Sequence, residues 1–468
     1  MAASMNAGTW SVPDRAPPLG GGPLQIDIGQ LIDASPFGRL QLGVFALSFF
    51  TVLLDGFDNQ VIGIVAGPLA RGLRIPLPRF GLVFGVGVVG MIVSGIIIGT
   101  AADRFGRRWL MILSTLCFGL ASLLTVRVHS LEELLLARFV AGIGLGGVLP
   151  NAIALMAEFS PRRLARTCIT AMVCALPAGA VIAGLLAGLL LPRFGWTALF
   201  YVGGLIPILL AVLLIGWLPE SIRYLVVRGG AAARIARIVR AIDPRAGTEG
   251  VRYVSRDSRP AAASAGQERP VHGIFSQGRL LPTIFLWVAY FMNMTVLYFI
   301  VNWLPSVVVA AGGSQALGIT AITAFSVGGI GGCLLQGPLM NRAGVSPSLI
   351  AEFLVVALYA VLLSTTAPGP GGLIIMTAVA GAALVGVQAG LNALAAEIYP
   401  TAIRAAGAGW ALGAGRLGSI VGPLAGGLML ALHWNSQQIF RMGIVPCVLA
   451  AIMLGTNLLR RTSMEESA

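Results

Sequence analysis

Apolar runs long enough to cross a bilayer, which takes about 20 residues at 1.5 Å each, recur twelve times along this chain. They cover roughly 40–66, 80–101, 109–128, 134–157, 167–191 and 196–217, then 280–303, 316–338, 347–367, 371–396, 404–430 and 437–459. Each predicts a membrane-spanning helix, because a helix is the single-segment fold that satisfies its own backbone in lipid. The one long polar stretch, Pro219 to Gln277, falls between the sixth and seventh runs. The pattern divides the chain into a tail (1–39), a six-helix bundle (40–218), a basic linker loop (219–278), a second six-helix bundle (279–460) and a short tail (461–468). The Gly-, Pro- and Ala-rich start and the polar linker both read as disordered.

Polar residues set the orientation. Every basic residue is Arg, and eleven lie between Arg223 and Arg279. Others follow the second, fourth and twelfth runs, at Arg104, Arg107, Arg108, Arg162, Arg163, Arg166, Arg460 and Arg461. By the positive-inside rule these loops and both termini are cytoplasmic. Arg71, Arg74 and Arg79 are the exception, falling in an outside loop where they suit the approach of anionic solutes. With 57% hydrophobic and 10% charged residues, against about 25% charged in soluble domains, the chain is polytopic. The net charge of +13 therefore reflects topology, not nucleic-acid binding. The five cysteines lie in or beside apolar runs without metal or disulfide spacing, and read as packing residues.

The two halves repeat. GTAADRFG (Gly99–Gly106) is matched by GPLMNRAG (Gly337–Gly344), with Asn341 standing 238 positions after Asp103. AEFSP (Ala157–Pro161) is matched by AEIYP (Ala396–Pro400), with Glu397 standing 239 after Glu158. The fold class is therefore an all-α membrane protein of twelve helices in two pseudo-symmetric six-helix bundles, an arrangement many secondary transporters share.

Asp55 and Asp58 are the only charges between Leu40 and Gly67. Carboxylates at that depth are costly and usually mark an ion or proton path. Two so close would titrate as a coupled pair, suited to proton coupling; pairing with an arginine or capping of a break at Gly56 are the alternatives. Arg138 and Arg416 lie inside the fourth and eleventh runs. A buried guanidinium matches a carboxylate in two hydrogen bonds, so each is a candidate contact for an anionic substrate or an internal partner for the aspartates. Asp103, Arg104, Arg107, Arg108, Glu158, Arg162, Glu397 and Arg404 cluster at cytoplasmic helix ends. They suit a gate that latches the halves in one state, with Arg107 and Arg108 equally explained as anchors. Phe57, Tyr290, Asn293, Tyr298, Asn302, Trp303, Phe325, Gln388, Asn392 and Trp410 are candidates to line a cavity. Asn293, Asn302 and Trp410 are the strongest of these, Asn293 standing 238 positions after Asp55. GIGLGG (Gly142–Gly147) mimics a nucleotide fingerprint but follows no strand, and reads as helix packing.

GTAADRFGRR and its degenerate copy resemble the loop motifs of the major facilitator superfamily. DGFDNQVIG (Asp55–Gly63), IDIGQLIDASPFGRLQ (Ile26–Gln41) and GAGRLGSIVGPLAGG (Gly413–Gly427) resemble more narrowly its aromatic acid:proton symporters, the 4-hydroxybenzoate/protocatechuate type. The resemblance implies a bacterial inner-membrane importer that takes up small aromatic carboxylates with protons. It would use the proton gradient and no cofactor, and work as a monomer. Porters of other organic acids, sugars or polyols stay open. The Gly-Pro pair of drug antiporters is missing from the fifth run, which disfavours an exporter. An enzyme is disfavoured because no histidine falls in a span and no nucleophile or metal constellation appears; a sensor, because the linker is short and polar.

Overall fold

Helices follow from the apolar runs because each backbone N–H and C=O must find its partner within the segment. The computed structural model describes residues 24–228, 232–244, 251–254, 270–276, 278–366 and 368–466. The first half contains β1 (Leu24–Asp27), α1 (Ile28–Ala34), α2 (Arg39–Leu73), α3 (Phe80–Phe105), α4 (Arg107–Thr125), α5 (Leu131–Gly146), α6 (Val148–Phe159), α7 (Arg162–Phe194) and α8 (Thr197–Trp217). The linker carries α9 (Ile222–Val227), α10 (Ala232–Ile242), β2 (Val251–Val254) and α11 (Pro270–Phe275). The second half contains α12 (Leu280–Ala310), α13 (Gln315–Ala343), α14 (Val345–Thr365), α15 (Pro370–Ile398), α16 (Arg404–Ala431) and α17 (Ser436–Glu466). With α5 and α6 forming one span, twelve helical spans cross the membrane. Exposed side chains such as Ile96, Leu185, Leu189, Leu205 and Leu209 give them lipid-facing surfaces. The face where α2 begins is here called proximal, and the opposite face distal.

The repeat extends into the packing. Gly179 of α7 lies against the Leu53 carbonyl of α2, and Gly418 of α16 against the Phe291 carbonyl of α12. Gly142 of α5 meets the Gly87 carbonyl of α3 as Gly381 of α15 meets the Phe325 carbonyl of α13. Each pair is carried into its counterpart by the same shift of 238 or 239 positions that relates the sequence motifs. At these points a Cβ would strike a neighbouring backbone, so small residues let the helices approach closely. The GIGLGG run is part of this packing.

The tail and linker differ from the expectation of disorder. Among their described residues, β1 pairs in parallel with β2, from Leu24 opposite Val251 to Asp27 opposite Val254. Ile28 and Ile32 of α1 share a buried cluster with Ile235, Val239 and Ile242 of α10. The Asp33 carboxylate pairs with Arg162 at 3.2 Å. Composition misled because α10 is short and arginine-rich. Its apolar stripe is nevertheless at helical spacing, with exposed Arg234, Arg237 and Arg240 on the other face. Residues 1–23 of the tail lie outside the described residues.

The two bundles meet along α2 with α12, α3 with α16, and α7 with α13. A Cβ on Gly63 would lie 2.7 Å from the Val301 carbonyl, and one on Gly81 2.9 Å from the Pro423 carbonyl. The Trp303 indole donates to the Pro423 carbonyl at 2.9 Å and meets the Phe84 ring edge-on at 5.2 Å. All of these contacts lie in the distal half of their helices.

Candidate functional site

α2 passes through Asp55 and Asp58 without a break, which removes the reading of Gly56 as a helix interruption. At 100° per residue, three positions leave the two carboxylates about 60° apart around the helix. That rotation separates their surroundings. Asp58 points into its own bundle, where one oxygen accepts from Ser122 of α4 and the other from Arg138 Nη2 of α5 at 2.6 Å. Asp58 and Arg138 are both buried. Asp55 is equally buried, yet its Oδ1 has no hydrogen-bond partner. The charge of Arg416 on α16 acts on Asp55 across the bundle boundary. Among the described residues, however, the Arg416 guanidinium forms no ion pair within 4.0 Å. Arg416 is half-buried, twelve residues into α16 and so about 18 Å from its proximal end.

The second bundle builds its polar centre from amides. Asn293 is fully buried and donates to Gln388 Oε1 of α15 at 3.1 Å, while its own Oδ1 is unpartnered. One turn earlier on α12, the Tyr290 hydroxyl donates to Asn392 at 2.6 Å. Arg138 has a free atom as well, since its Nη1 is unpartnered. Arg138 lines a cavity with Asn59, Met91, Tyr298 and Asn302. At about 20 Å³ that cavity holds roughly one water molecule. The Asn302 amide donates to the Tyr298 carbonyl at 2.7 Å, which leaves its oxygen for the cavity. Asp55 Oδ1, Arg138 Nη1 and Asn293 Oδ1 are thus buried polar atoms without partners, at three residues that the sequence singles out. Each such atom costs about 1–3 kcal/mol unless something binds it.

Trp410 is 52% exposed, six residues into α16, and stacks on Trp287 of α12 with ring centroids 6.1 Å apart. This places it toward the proximal mouth, away from the unpartnered atoms of Asp55, Arg138 and Asn293.

Among the proximal charges, Arg107 pairs with Glu158 at 2.5 Å, and Glu158 also accepts from Ser221. The Arg108 backbone N–H donates to Glu220 at 3.2 Å, and the Arg104 carbonyl accepts from Tyr224 at 3.1 Å. These bonds all lie within the first half and its linker, so in this state they tie α3, α4 and α6 to α9 and the residues just before it and do not join the bundles. In the second half Arg404 Nε donates to the Tyr399 carbonyl at 3.2 Å, and Glu397 is engaged as well. The Asp103 side chain lies outside the described residues.

Two further buried polar residues, Ser122 and Glu352, enter with the structure. Ser122 holds Asp58, but a lone serine in an apolar run is ordinary. Glu352 of α14 is a buried acid that accepts from Gln336 of α13 at 3.2 Å, in a notch left by Gly386 and Gly390. Its single carboxylate could have been found by the same cost argument that picked out Asp55.

Twelve spans, two repeated bundles and a polar centre at their boundary give the architecture of a membrane transporter. The chain belongs to the Major Facilitator Superfamily, whose pattern matches residues 48–375. It is similar to the 4-hydroxybenzoate transporter PcaK of Pseudomonas putida, with 33% identity over 91% of this chain and 94% of that protein. It is also similar to a gallate transporter of Pseudomonas putida, with 33% identity over 92% and 95% of the two chains. The fold matches the partially occluded inward open xylose transporter XylE from Escherichia coli with a TM-score of 0.69 and 18% identity, covering 90% of this chain and 98% of that one.

Proposed function

We propose that this protein imports small aromatic carboxylates of the hydroxybenzoate class together with protons, by alternating access between its two bundles. One observation carries the reading: Asp55 is a buried carboxylate with a free oxygen, and the charge of Arg416, which forms no ion pair among the described residues, acts on it across the bundle boundary. A carboxylate there can bind a proton, and a guanidinium without a partner can bind an anion. Asp55 is the proton carrier in this reading, while Asp58 is held by Arg138 and Ser122 and couples the proton to α4 and α5. The substrate carboxylate pairs with Arg416 and with the free Nη1 of Arg138. Asn293 and Asn302 supply hydrogen bonds to ring hydroxyls, and Trp410 forms part of the route to the proximal mouth. The relatives' substrates support this choice, since hydroxybenzoate and gallate combine a carboxylate with ring hydroxyls. The amide-lined second bundle would suit a sugar equally, but the unpaired Arg416 favours an anion.

In this reading the proximal face is cytoplasmic and both termini are internal, as the arginine distribution supports, and the membrane is the inner membrane of a bacterium, as the bacterial relatives support. Bundle contacts gathered at the distal end then correspond to an inward-facing state. In the outward-facing state, Asp103, Arg104, Arg107, Glu158, Glu397 and Arg404 would draw the proximal ends together. Arg71 and Arg74 border an outer pocket of about 410 Å³, where they attract anions. The protein acts as a monomer with no cofactor.

The test is uptake of a panel of labelled aromatic acids into vesicles under an imposed pH gradient. Hydroxybenzoates are expected to accumulate, and a protonophore to abolish accumulation. Uptake of none of them, or uptake indifferent to the protonophore, would overturn the proposal.

A further inference from the structure

Cys174 of α7 and Cys333 of α13 belong to different bundles, and their side chains lie near enough across the seam to interact. Packing fixes the register of that seam. Gly184 lies against Thr323, and a Cβ on Gly329 would lie 3.7 Å from Pro177 Cβ. The helices therefore run antiparallel, one residue for one, and the next pair along this line toward the proximal face is Cys174 opposite Cys333. One turn further the register brings Thr170 opposite Gly337. Both are exposed, and nothing lies within 4 Å of a Cβ on Gly337. The two thiols thus lie at the proximal end of the close-packed part of this seam, and both are partly exposed. The other cysteines are placed differently: Cys168 and Cys447 are buried, and Cys117 donates to the Val140 carbonyl.

We propose that Cys174 and Cys333 form an oxidation site that ties the two bundles together and arrests transport. The oxidant is a hydroperoxide reaching the partly exposed thiols. One thiolate attacks the O–O bond, gives a sulfenic acid and releases the alcohol. The second thiol displaces hydroxide from that sulfur, forming the disulfide and water. The thiols together lose two electrons and two protons, and the peroxide takes them up. A disulfide holds its Cα atoms about 4.4–6.8 Å apart at a fixed dihedral angle. A seam that must slide and part during alternating access would be pinned. This last step rests on the transport reading above; formation of the cross-link does not.

The test uses the full chain in vesicles, treated with tert-butyl hydroperoxide. Mass spectrometry is expected to find a Cys174–Cys333 peptide cross-link, with Cys117, Cys168 and Cys447 still open to maleimide after unfolding. Uptake is expected to fall at least tenfold and to recover with dithiothreitol. Cys174→Ser and Cys333→Ser should each transport normally and resist the oxidant. Hydrogen–deuterium exchange gives an arm that needs no substrate: the distal ends of α2 and α12 should exchange more slowly once oxidised. Absence of the cross-link overturns the site. A cross-link that leaves both exchange and uptake unchanged overturns the arrest. If the reduced protein takes up no aromatic acid, the substrate reading fails, and the cross-link and exchange arms still judge the tie.

Discussion

Asp55 and Asn293 occupy the same place in the two halves, 238 positions apart on the first helix of each bundle. Both are buried and each keeps one oxygen unpartnered. They differ in chemistry. The first bundle surrounds its position with ions, namely Asp58, Arg138 and, across the boundary, Arg416. The second surrounds its position with neutral groups, namely Gln388, Asn392 and Tyr290. A duplicated scaffold has thus placed two equivalent acceptors, one a titratable carboxylate and the other a neutral amide. Under the proposed function, proton handling falls to the first half and ring recognition to the second.

Asp55→Asn breaks this comparison most severely. It makes the two positions chemically alike and is expected to abolish proton-driven accumulation. One proton per substrate is worth about tenfold accumulation per pH unit of gradient, and that ratio should fall to one. Substrate exchange without a gradient should persist, and flux assays with and without the gradient separate the two. Next in size is loss of the ionic surroundings. Arg138→Gln leaves Asp58 buried and unpaired, at a cost of about 3–5 kcal/mol. Thermal unfolding in detergent should show a large drop in Tm, and Asp58→Asn added to Arg138→Gln should recover most of it. The smallest effect sharpens the second half's role. Asn293→Ala removes a neutral partner, so KM should rise about five- to tenfold with little change in maximal rate, as for one hydrogen bond of ~1 kcal/mol. An equal loss of gradient coupling in Asn293→Ala would erase the distinction between the halves.

Particular elements show how far sequence reasoning reached. The twelve spans were legible because a bilayer demands a length and an apolarity that composition cannot hide. The repeat was legible from two short motifs, and the glycine contacts extend it through the packing. Asp55, Arg138 and Asn293 were legible because buried polar groups are costly wherever they occur. The order in the tail and linker was not, since β1 and β2 are four residues each and pair across more than 200 positions. Nor was the confinement of the Arg107–Glu158 pair to one bundle, because loops rich in charge offer many partners of equal sequence merit.

The sequence by itself determined that this chain crosses a membrane twelve times, that its halves are copies, and which buried groups are anomalous. These follow from transfer energies, which each residue carries wherever it is placed. The tertiary structure decided which aspartate is satisfied and which is left open, since about 60° of helix rotation turns one toward Arg138 and the other toward Arg416. It also decided at which face the bundles meet, and that Cys174 and Cys333 lie opposite each other. Those outcomes depend on how helices rotate and cross, which is settled by packing between segments far apart in the chain.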